Sequence, residues 1–576
     1  MRFVLKHISF FYFLVLLAGT LFFIPPIFVN RFTVGPSLWL QIGIAIGLLF
    51  FIVMKRERIH LPGYKFLLIV LIFVLYFWWR EKWNSDALFS VALYCTAFLL
   101  FFQLYSDKIN RNKLISIYTP IAVLLCVWCG GQLVGWIPSF HNTLRISGPF
   151  DNPAGISVSL SLLLPFTLYK IEHKNKWERV LGIIISAIII FFVLKSGARA
   201  AIIAITLISG IYITRWIKIR TNVQFSSVHY FLMFAVGIML FTGLYLMKKD
   251  SADGRILIWK CTEQLIEDKP VFGFGRNGFT ANYMNKQALY FTKYPNSKYA
   301  MLADNIRQPF NEYLKITVEY GIAGFILVSL ILFYPLYHSR NNTSRVLFAV
   351  RLSLLAIATC AMFSYPFNYP FVRIMLVMLL SYLLASGNDC KIEIANNLFV
   401  KSLTLLISTG LISAAVFQGI HEREWHTIAH KSLSGQTIKM LPRYSSLYTH
   451  MQHNDLFLYN YAAELNVAGL YDESYKIARE CNSLWADYDL QMLMADNCLQ
   501  LQQYDKTESH LKKAAAMCPV KFMPLYRLAE LYMETGQTDE ARSLAQKIVE
   551  KDVKIPSPVI GSIKMKMRNF VKESEQ

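Results

Sequence analysis

Two arginines stand where long apolar runs meet short polar turns: Arg199, closing Lys195-Ser-Gly-Ala-Arg199, and Arg255, in Asp253-Gly254-Arg255-Ile-Leu-Ile-Trp259. A guanidinium is planar, permanently charged, and carries a fork of donors that fits phosphate oxygens two at a time. So close to hydrocarbon it calls for an anionic partner, and a lipid phosphate is one. An interfacial arginine can also lay its stem along apolar surface and leave its head in the headgroup layer. Upstream, Arg145-Ile-Ser-Gly-Pro-Phe-Asp-Asn152-Pro153 leads into an apolar run, although Gly-Pro and Asn-Pro also mark ordinary turns. Downstream come Asp304-Asn305, Phe310-Asn311-Glu312-Tyr313-Leu314 and Glu319-Tyr320-Gly321. If 310–320 is helical, Glu312 and Glu319 share one face, as catalytic carboxylates or as a polar lead-in to a span. With His141, these carboxylates are the groups able to take a proton from an attacking hydroxyl. Lys269-Pro270-Val-Phe-Gly273-Phe-Gly275-Arg276 reads as a tight glycine turn after a surface helix over 254–267. Gly273, Gly275 and Gly278 follow no strand of a βαβ unit, which argues against a nucleotide fingerprint. No carboxylate pair or His/Cys set stands at ligand spacing, so the chemistry asks for no metal and no other cofactor.

The composition decides what must position these groups. Of 576 residues, 55% are hydrophobic and only 16% charged, against about 25% charged in a soluble protein of ordinary composition. That excludes an ordinary soluble enzyme, a disordered chain and a small disulfide-stapled scaffold. The net charge of +21 is uneven: residues 1–420 hold 39 Lys and Arg against 17 Asp and Glu, and residues 421–576 hold 19 against 20. Because the basic excess lies between apolar segments, it reads as topology and phosphate contact rather than nucleic-acid binding. Cys126 and Cys129 form a CxxC inside an apolar span, where small buried thiols are common.

A hydrocarbon core needs about 20 apolar helical residues, fewer inside a packed bundle. On that measure helices are expected near 10–29, 37–54, 64–79, 87–105, 114–135, 154–169, 180–194, 200–214, 229–247, 318–337, 346–363, 371–386 and 398–418. The first follows Arg2 and Lys6 without an obvious small-residue cleavage site, and reads as an uncleaved helix. Alternate short loops, counted from the N-terminus, hold twenty Lys and Arg; the opposite short loops hold six. The positive-inside rule then places the N-terminus in the cytoplasm, and the long 248–317 segment and the C-terminal region outside. Long segments translocate largely regardless of charge, so 248–317 is exempt from the count.

After residue 420 the chain turns soluble in character and acquires a period. Tyr461-Ala-Ala463, Met494-Ala-Asp496 and Leu528-Ala-Glu530 align, and Asp472, Asp505 and Asp539 mark turns in step. A helix–turn–helix period of about 34 residues with small contact residues is tetratricopeptide-like. About three repeats run from 455 to 553, and 422–450 reads as a degenerate fourth or a linking helix pair; a generic helical bundle is the plainer reading. The fold expected is all-α: a polytopic bundle of about thirteen transmembrane helices over 1–420, carrying the long loop, and a helical-repeat domain over 421–576. Such repeats usually bind partners on a concave face, so envelope proteins or the acceptor are expected there. One disulfide among Cys481, Cys498 and Cys518 is compatible with an oxidising compartment.

Taken in order, Ser147-Gly-Pro-Phe-Asp-Asn-Pro153, Ser196-Gly-Ala-Arg199, Gly254-Arg-Ile-Leu-Ile-Trp259, Pro270-Val-Phe-Gly-Phe-Gly275, Asn311-Glu-Tyr-Leu314 and Glu319-Tyr-Gly321 resemble the O-antigen ligase family of bacterial membrane glycosyltransferases. The likeness covers roughly residues 90–385, and C-terminal repeats are a common attachment there. It implies transfer of a glycan from an undecaprenyl-diphosphate carrier to lipid A-core, another glycan or a protein, on the periplasmic side of the cytoplasmic membrane. It also implies that Arg199 and Arg255 serve the lipid diphosphate. The family often has His-Asn where this chain has Phe310-Asn311, which leaves His141, Asp304, Glu312 and Glu319 as candidate bases. Arg145, Asn152, Asn311 and Arg276 are candidate substrate contacts. Two other classes differ in their signatures: a flippase for lipid-linked sugars would favour mid-span charges and internal repeats in the membrane part, and a non-catalytic assembly protein would rest on its repeats. Reporter fusions after Arg58, Arg179 and Asn342 are expected to read cytoplasm, and those after Asn296 and Gln576 the outer side; a cytoplasmic signal at Gln576 would break this topology.

Overall fold

The computed structural model describes residues 2–53, 58–81, 85–107, 111, 115–141, 143–221, 226–387 and 391–573. Lys55, Arg56, Lys82, Lys108 and Lys113, counted above, and Gln576 lie outside them. Among the described residues, helices Arg2–Phe22, Arg31–Val53, Tyr64–Arg80, Ser85–Tyr105, Tyr118–Val134, Pro153–Ile171, Lys176–Ser196, Arg199–Thr221, Ser227–Met247, Glu312–His338, Arg345–Phe363, Pro370–Ser386 and Leu398–Lys431 overlap the thirteen apolar stretches. Eight helices among the described residues are long and apolar enough to cross a membrane, and several shorter apolar helices accompany them. The protein is an all-α polytopic membrane protein, with one small addition that the sequence did not signal. Arg58–Leu61 and Ile392–Ala395 pair as a two-stranded antiparallel ladder, and Arg58 bridges to Glu393 at 2.6 Å.

The chain divides into two compact units, Met1–Leu244 with Phe310–Tyr313 and Ile322–Arg423, and Tyr245–Pro309 with Leu314–Gly321 and Glu424–Gln576. The long segment after the ninth span therefore groups with the C-terminal helices rather than with the spans.

In the first unit, Pro153–Ile171 is buried almost along its whole length and packs on Lys176–Ser196, Arg199–Thr221 and Arg345–Phe363. Its serines hide their polarity locally. Ser159 donates to the Gly155 carbonyl at 2.8 Å and Ser161 to the Ser157 carbonyl at 2.7 Å, which lets small hydroxyls sit at a helix contact where water is absent. At the basic end of the bundle, cations meet the carbonyls that helices leave exposed at their C-termini. Arg345 donates to Glu172 O at 3.0 Å, and Arg111 to Ala385 O at 2.8 Å.

In the second unit three helix pairs begin at residues 455, 488 and 523. Ala462, Ala478, Ala495, Ala514, Ala529 and Ala545 are buried at their contacts. Asp472, Asp505 and Asp539 fall in the first turn of the second helix of each pair, where an acid suits the positive end of the helix dipole. Cys481, Cys498 and Cys518 are buried free thiols, so the disulfide considered above does not form among the described residues.

The surface helix expected over 254–267 spans Lys249–Asp268, and the glycine turn after it interlocks with 318–321. Phe274 N donates to Val318 O at 2.8 Å and Gly275 N to Glu319 O at 2.7 Å. Gly273 and Gly321 both take φ of 65°. A Cβ on Gly273 would lie 2.6 Å from the Glu319 carbonyl, and one on Gly321 would lie 2.1 Å from Val271 O. Gly321, with ψ of −174°, also interrupts the helix Glu312–His338. Gly273→Ala and Gly321→Ala are expected to lower stability by more than about 2 kcal/mol each, through both clash and strain. Gly561→Ala, in open space inside a helix, should raise it by up to about 1 kcal/mol. Thermal unfolding of the full chain in detergent measures all three, and indifference to the first two substitutions would contradict the interlock.

Candidate functional site

Three motif-bearing segments, 147–153, 196–199 and 310–313, meet the 364–369 loop at one end of the first unit. Asn152, in extended conformation, caps the helix Pro153–Ile171 by accepting from Ala154 N at 2.9 Å. One turn into that helix, Ser157 donates to Ser196 Oγ at 2.7 Å. Ser196 ends Lys176–Ser196, Gly197 turns the chain at φ of 66°, and Arg199 begins the next helix. The buried hydroxyl pair thus ties the Gly-Pro-Phe-Asp-Asn-Pro loop to the arginine hairpin. Ahead of it, Gln132 holds the 147–148 backbone, accepting from Ser147 N at 3.1 Å and Gly148 N at 2.8 Å.

A chain of rings carries the same end onward. Phe150 meets Tyr369 edge-on at 5.1 Å, Tyr369 lies 6.2 Å from Tyr365, and Tyr365 meets Phe310 edge-on at 5.5 Å. Phe310 has φ of 53°, a left-handed conformation that a bulky residue adopts at a cost of about 1–3 kcal/mol. Strain of that kind persists where surrounding contacts over-determine it, and it concentrates at functional sites. Asn311 then starts the tenth span by accepting from Tyr313 N at 3.0 Å. Buried Glu312 accepts from Phe367 N at 3.2 Å, while Arg373 donates to Phe367 O and, at 3.3 Å, to Asn368 O. The Phe367 backbone is thus held at both its amide and its carbonyl.

The expected residues therefore separate. His141, Arg145, Asn152, Arg199, Asn311 and Glu312 belong to the first unit; Arg255, Arg276, Asp304 and Glu319 belong to the second. The helix that begins at Glu312 runs unbroken to Gly321, so Glu312 and Glu319 stand seven residues apart on one helical face, as expected. Glu319 is buried and its carbonyl receives Gly275 N. Arg255 lies one turn before Trp259, whose indole donates to Pro309 O at 3.0 Å. Arg276 is exposed beside the left-handed Asn277. Asp304 is exposed and accepts from Asn305 N at 2.8 Å.

Three residues of the site were not legible as candidates. Tyr365, Tyr369 and Arg373 flank a short loop without basic residues in its turn, and only its Tyr-Pro-Phe-Asn-Tyr-Pro composition hinted at structure. Burial, then Tyr365 and Asp151, push the Tyr369 phenol well above its usual range, so it stays a neutral donor. Desolvation raises the Asp151 carboxyl too, opposed by the backbone amides of Asp151 and Asn152 and by His141. His141 itself is poorly disposed to act as a base. Its Nδ1 accepts from Thr143 N at 3.2 Å and Leu144 N at 3.1 Å. An amide can only donate, so the neutral ring carries its proton on Nε2, and the open edge is a donor. His141→Asn, which keeps an acceptor for those amides, is expected to retain function within about threefold, whereas His141→Ala loses the loop's order. Abolition of activity by His141→Asn would restore the imidazole as a base.

Residues 184–329 match the family described as O-Antigen ligase. That span holds the Ser196–Arg199, Gly254–Trp259, Pro270–Gly275, Asn311–Leu314 and Glu319–Gly321 motifs, and leaves 147–153 outside. The ComP-specific O-oligosaccharyltransferase of Acinetobacter baylyi is 24% identical over 426 residues, covering 68% of this chain and 73% of its own. Residues 184–329 of this chain are thus similar to the O-Antigen ligase family, and the arginine hairpin and the glycine interlock lie within that stretch.

Proposed function

We propose that this protein is a membrane glycosyltransferase that moves a glycan from undecaprenyl diphosphate to an acceptor hydroxyl at the periplasmic face of the bacterial cytoplasmic membrane. The observation that carries the reading is the hairpin of Arg199, tied by Ser157–Ser196 to the loop that ends in the Asn152 cap. A guanidinium fixed at the end of a span can meet a lipid diphosphate at headgroup depth. The O-Antigen ligase match over residues 184–329 and the relative's activity, transfer of an oligosaccharide to oxygen as its name states, support the class of reaction.

In this reaction the acceptor oxygen attacks the sugar's anomeric carbon, the bond from that carbon to the diphosphate oxygen breaks, and the diphosphate leaves on its lipid with both bonding electrons. Negative charge develops on the leaving group, and the guanidiniums of Arg199 and Arg255 are the groups assigned to stabilise it. The acceptor proton passes to a carboxylate, Glu312 or Glu319, both buried and therefore shielded from competing solvent. Asp304, open to solvent, and His141, with its donor edge outward, are the weaker choices. Arg145, Asn152, Asn311 and Arg276 contribute polar contacts to the substrates. The acceptor, whether lipid A-core, a growing glycan or a protein, is read from glycan profiles of a deletion strain. Loss of polymer on its acceptor with lipid-linked polymer accumulating marks a ligase, and accumulation of single repeat units marks a polymerase.

Lysine is a point charge and cannot reproduce a bidentate phosphate contact. Arg199→Lys and Arg255→Lys are each expected to lower transfer by about 10- to 1000-fold, the equivalent of roughly 1.4–4 kcal/mol of transition-state stabilisation, at unchanged expression. Near-normal transfer by the double Arg199→Ala, Arg255→Ala variant would remove the diphosphate clamp.

A further inference from the structure

The long segment is fastened to the repeat helices at several points of the second unit. Ala486 N donates to Thr280 O at 3.0 Å, and Gln287 Nε2 reaches Met517 O at 2.6 Å and Asp304 O at 3.0 Å. Asn305 Nδ2 donates to Asp487 Oδ2 at 2.5 Å. Arg307 pairs with Asp455 and lies over the Trp485 ring at 4.1 Å.

Asp487 is fully buried. One of its oxygens caps the helix Tyr488–Gln500, accepting from Asp489 N at 2.8 Å and Leu490 N at 3.2 Å. A buried carboxylate must have its remaining oxygen satisfied as well, at a cost of about 1–3 kcal/mol or more if it is not. Asn305 fills that place, so the segment is a required partner of the repeats. On its other side the same stretch is held by Trp259, which donates to Pro309 O, and by Lys315, whose Nζ donates to Gln308 at 3.2 Å. Residues 303–309 thus form a strap fixed at once by the repeats and by the helix that carries Arg255. The next residues along the chain are strained Phe310, the helix-starting Asn311 and Glu312.

We infer that the repeat helices are a positioning element for glycan transfer. Asp487 and Asp455, acting through Asn305 and Arg307, fix the strap that delivers the chain into Phe310-Asn311-Glu312. The inference rests on the glycosyltransferase reading and adds to it. Instead of serving only as a partner-binding attachment, the repeats set the geometry of a transfer-site segment more than a hundred residues upstream. Loss of this hold lets 310–312 wander, which slows the chemical step while the diphosphate contacts of Arg199 and Arg255 remain.

The test uses the full chain in vesicles with a polyprenyl-diphosphate-linked glycan as donor. Asn305→Ala and Arg307→Ala are expected to lower kcat by about 10- to 100-fold and to leave the donor KM within about threefold. Arg307→Ala should leave the melting temperature unchanged, whereas Asn305→Ala, which orphans a buried oxygen of Asp487, is expected to lower it by about a few degrees. The exchanged pair Arg307→Asp with Asp455→Arg should be at least about fivefold faster than either single change. Near-normal kcat in both alanine variants, a parallel rise in KM, or failure of the exchange to rescue would each overturn the positioning role. Absence of transfer by the unaltered chain would instead overturn the glycosyltransferase reading on which it rests.

Discussion

Hydrocarbon leaves no polar group without a partner, and that single constraint sorts the residues of this chain. Within the spans polar side chains bond back to their own helix or to a neighbour, as Ser159, Ser161, Ser353 and the Gln41–Gln418 pair do. Charges are driven to the two ends of the bundle. At one end Arg111 and Arg345 complete helix C-termini; at the other Arg199 opens a helix directly after a two-residue turn. The Ser157–Ser196 pair joins these two regimes. It is buried and self-contained, yet it sets where the capped 147–153 loop and the arginine hairpin stand relative to one another.

The second unit meets a different demand, the holding of a long polar segment that has no hydrocarbon to order it. Glycine solves part of this. At Gly273 and Gly321 two backbones approach so closely that a single carbon atom would not fit, and the main chain itself supplies the hydrogen bonds. Carboxylates of the repeats solve the rest, through Asn305 and Arg307. Segments far apart in sequence thereby become one folded object.

Hydropathy made the spans legible because each helix in lipid must bury its own apolar length, and all thirteen stretches carry helices. The 33- to 34-residue spacing of small residues likewise foretold the helix pairs. The breaks were harder to read. Gly321 interrupts the tenth helix because Val271 passes against it, a constraint held by a residue fifty positions away. The amides of Thr143 and Leu144 that donate to His141 Nδ1 lie in the next turn, and nothing in the residue types announced them. Tyr365, Tyr369 and Arg373 drew no attention because their meaning lies in ring and carbonyl contacts to Phe150, Phe310 and Phe367. The clasp between strap and repeats joins residues separated by 148 and 182 positions, and no local period encodes such a pairing.

The central claim is that the spans and the long segment together move a glycan off a lipid diphosphate. The most direct measurement follows the carrier. Purified protein in vesicles is given a glycan linked to polyprenyl diphosphate and a hydroxyl acceptor, and the lipid product is identified by mass. Transfer through diphosphate departure predicts free polyprenyl diphosphate, formed one for one with glycosylated acceptor and without added metal. Polyprenyl monophosphate as the product, or glycan carried across the vesicle wall still attached to its lipid, would contradict it.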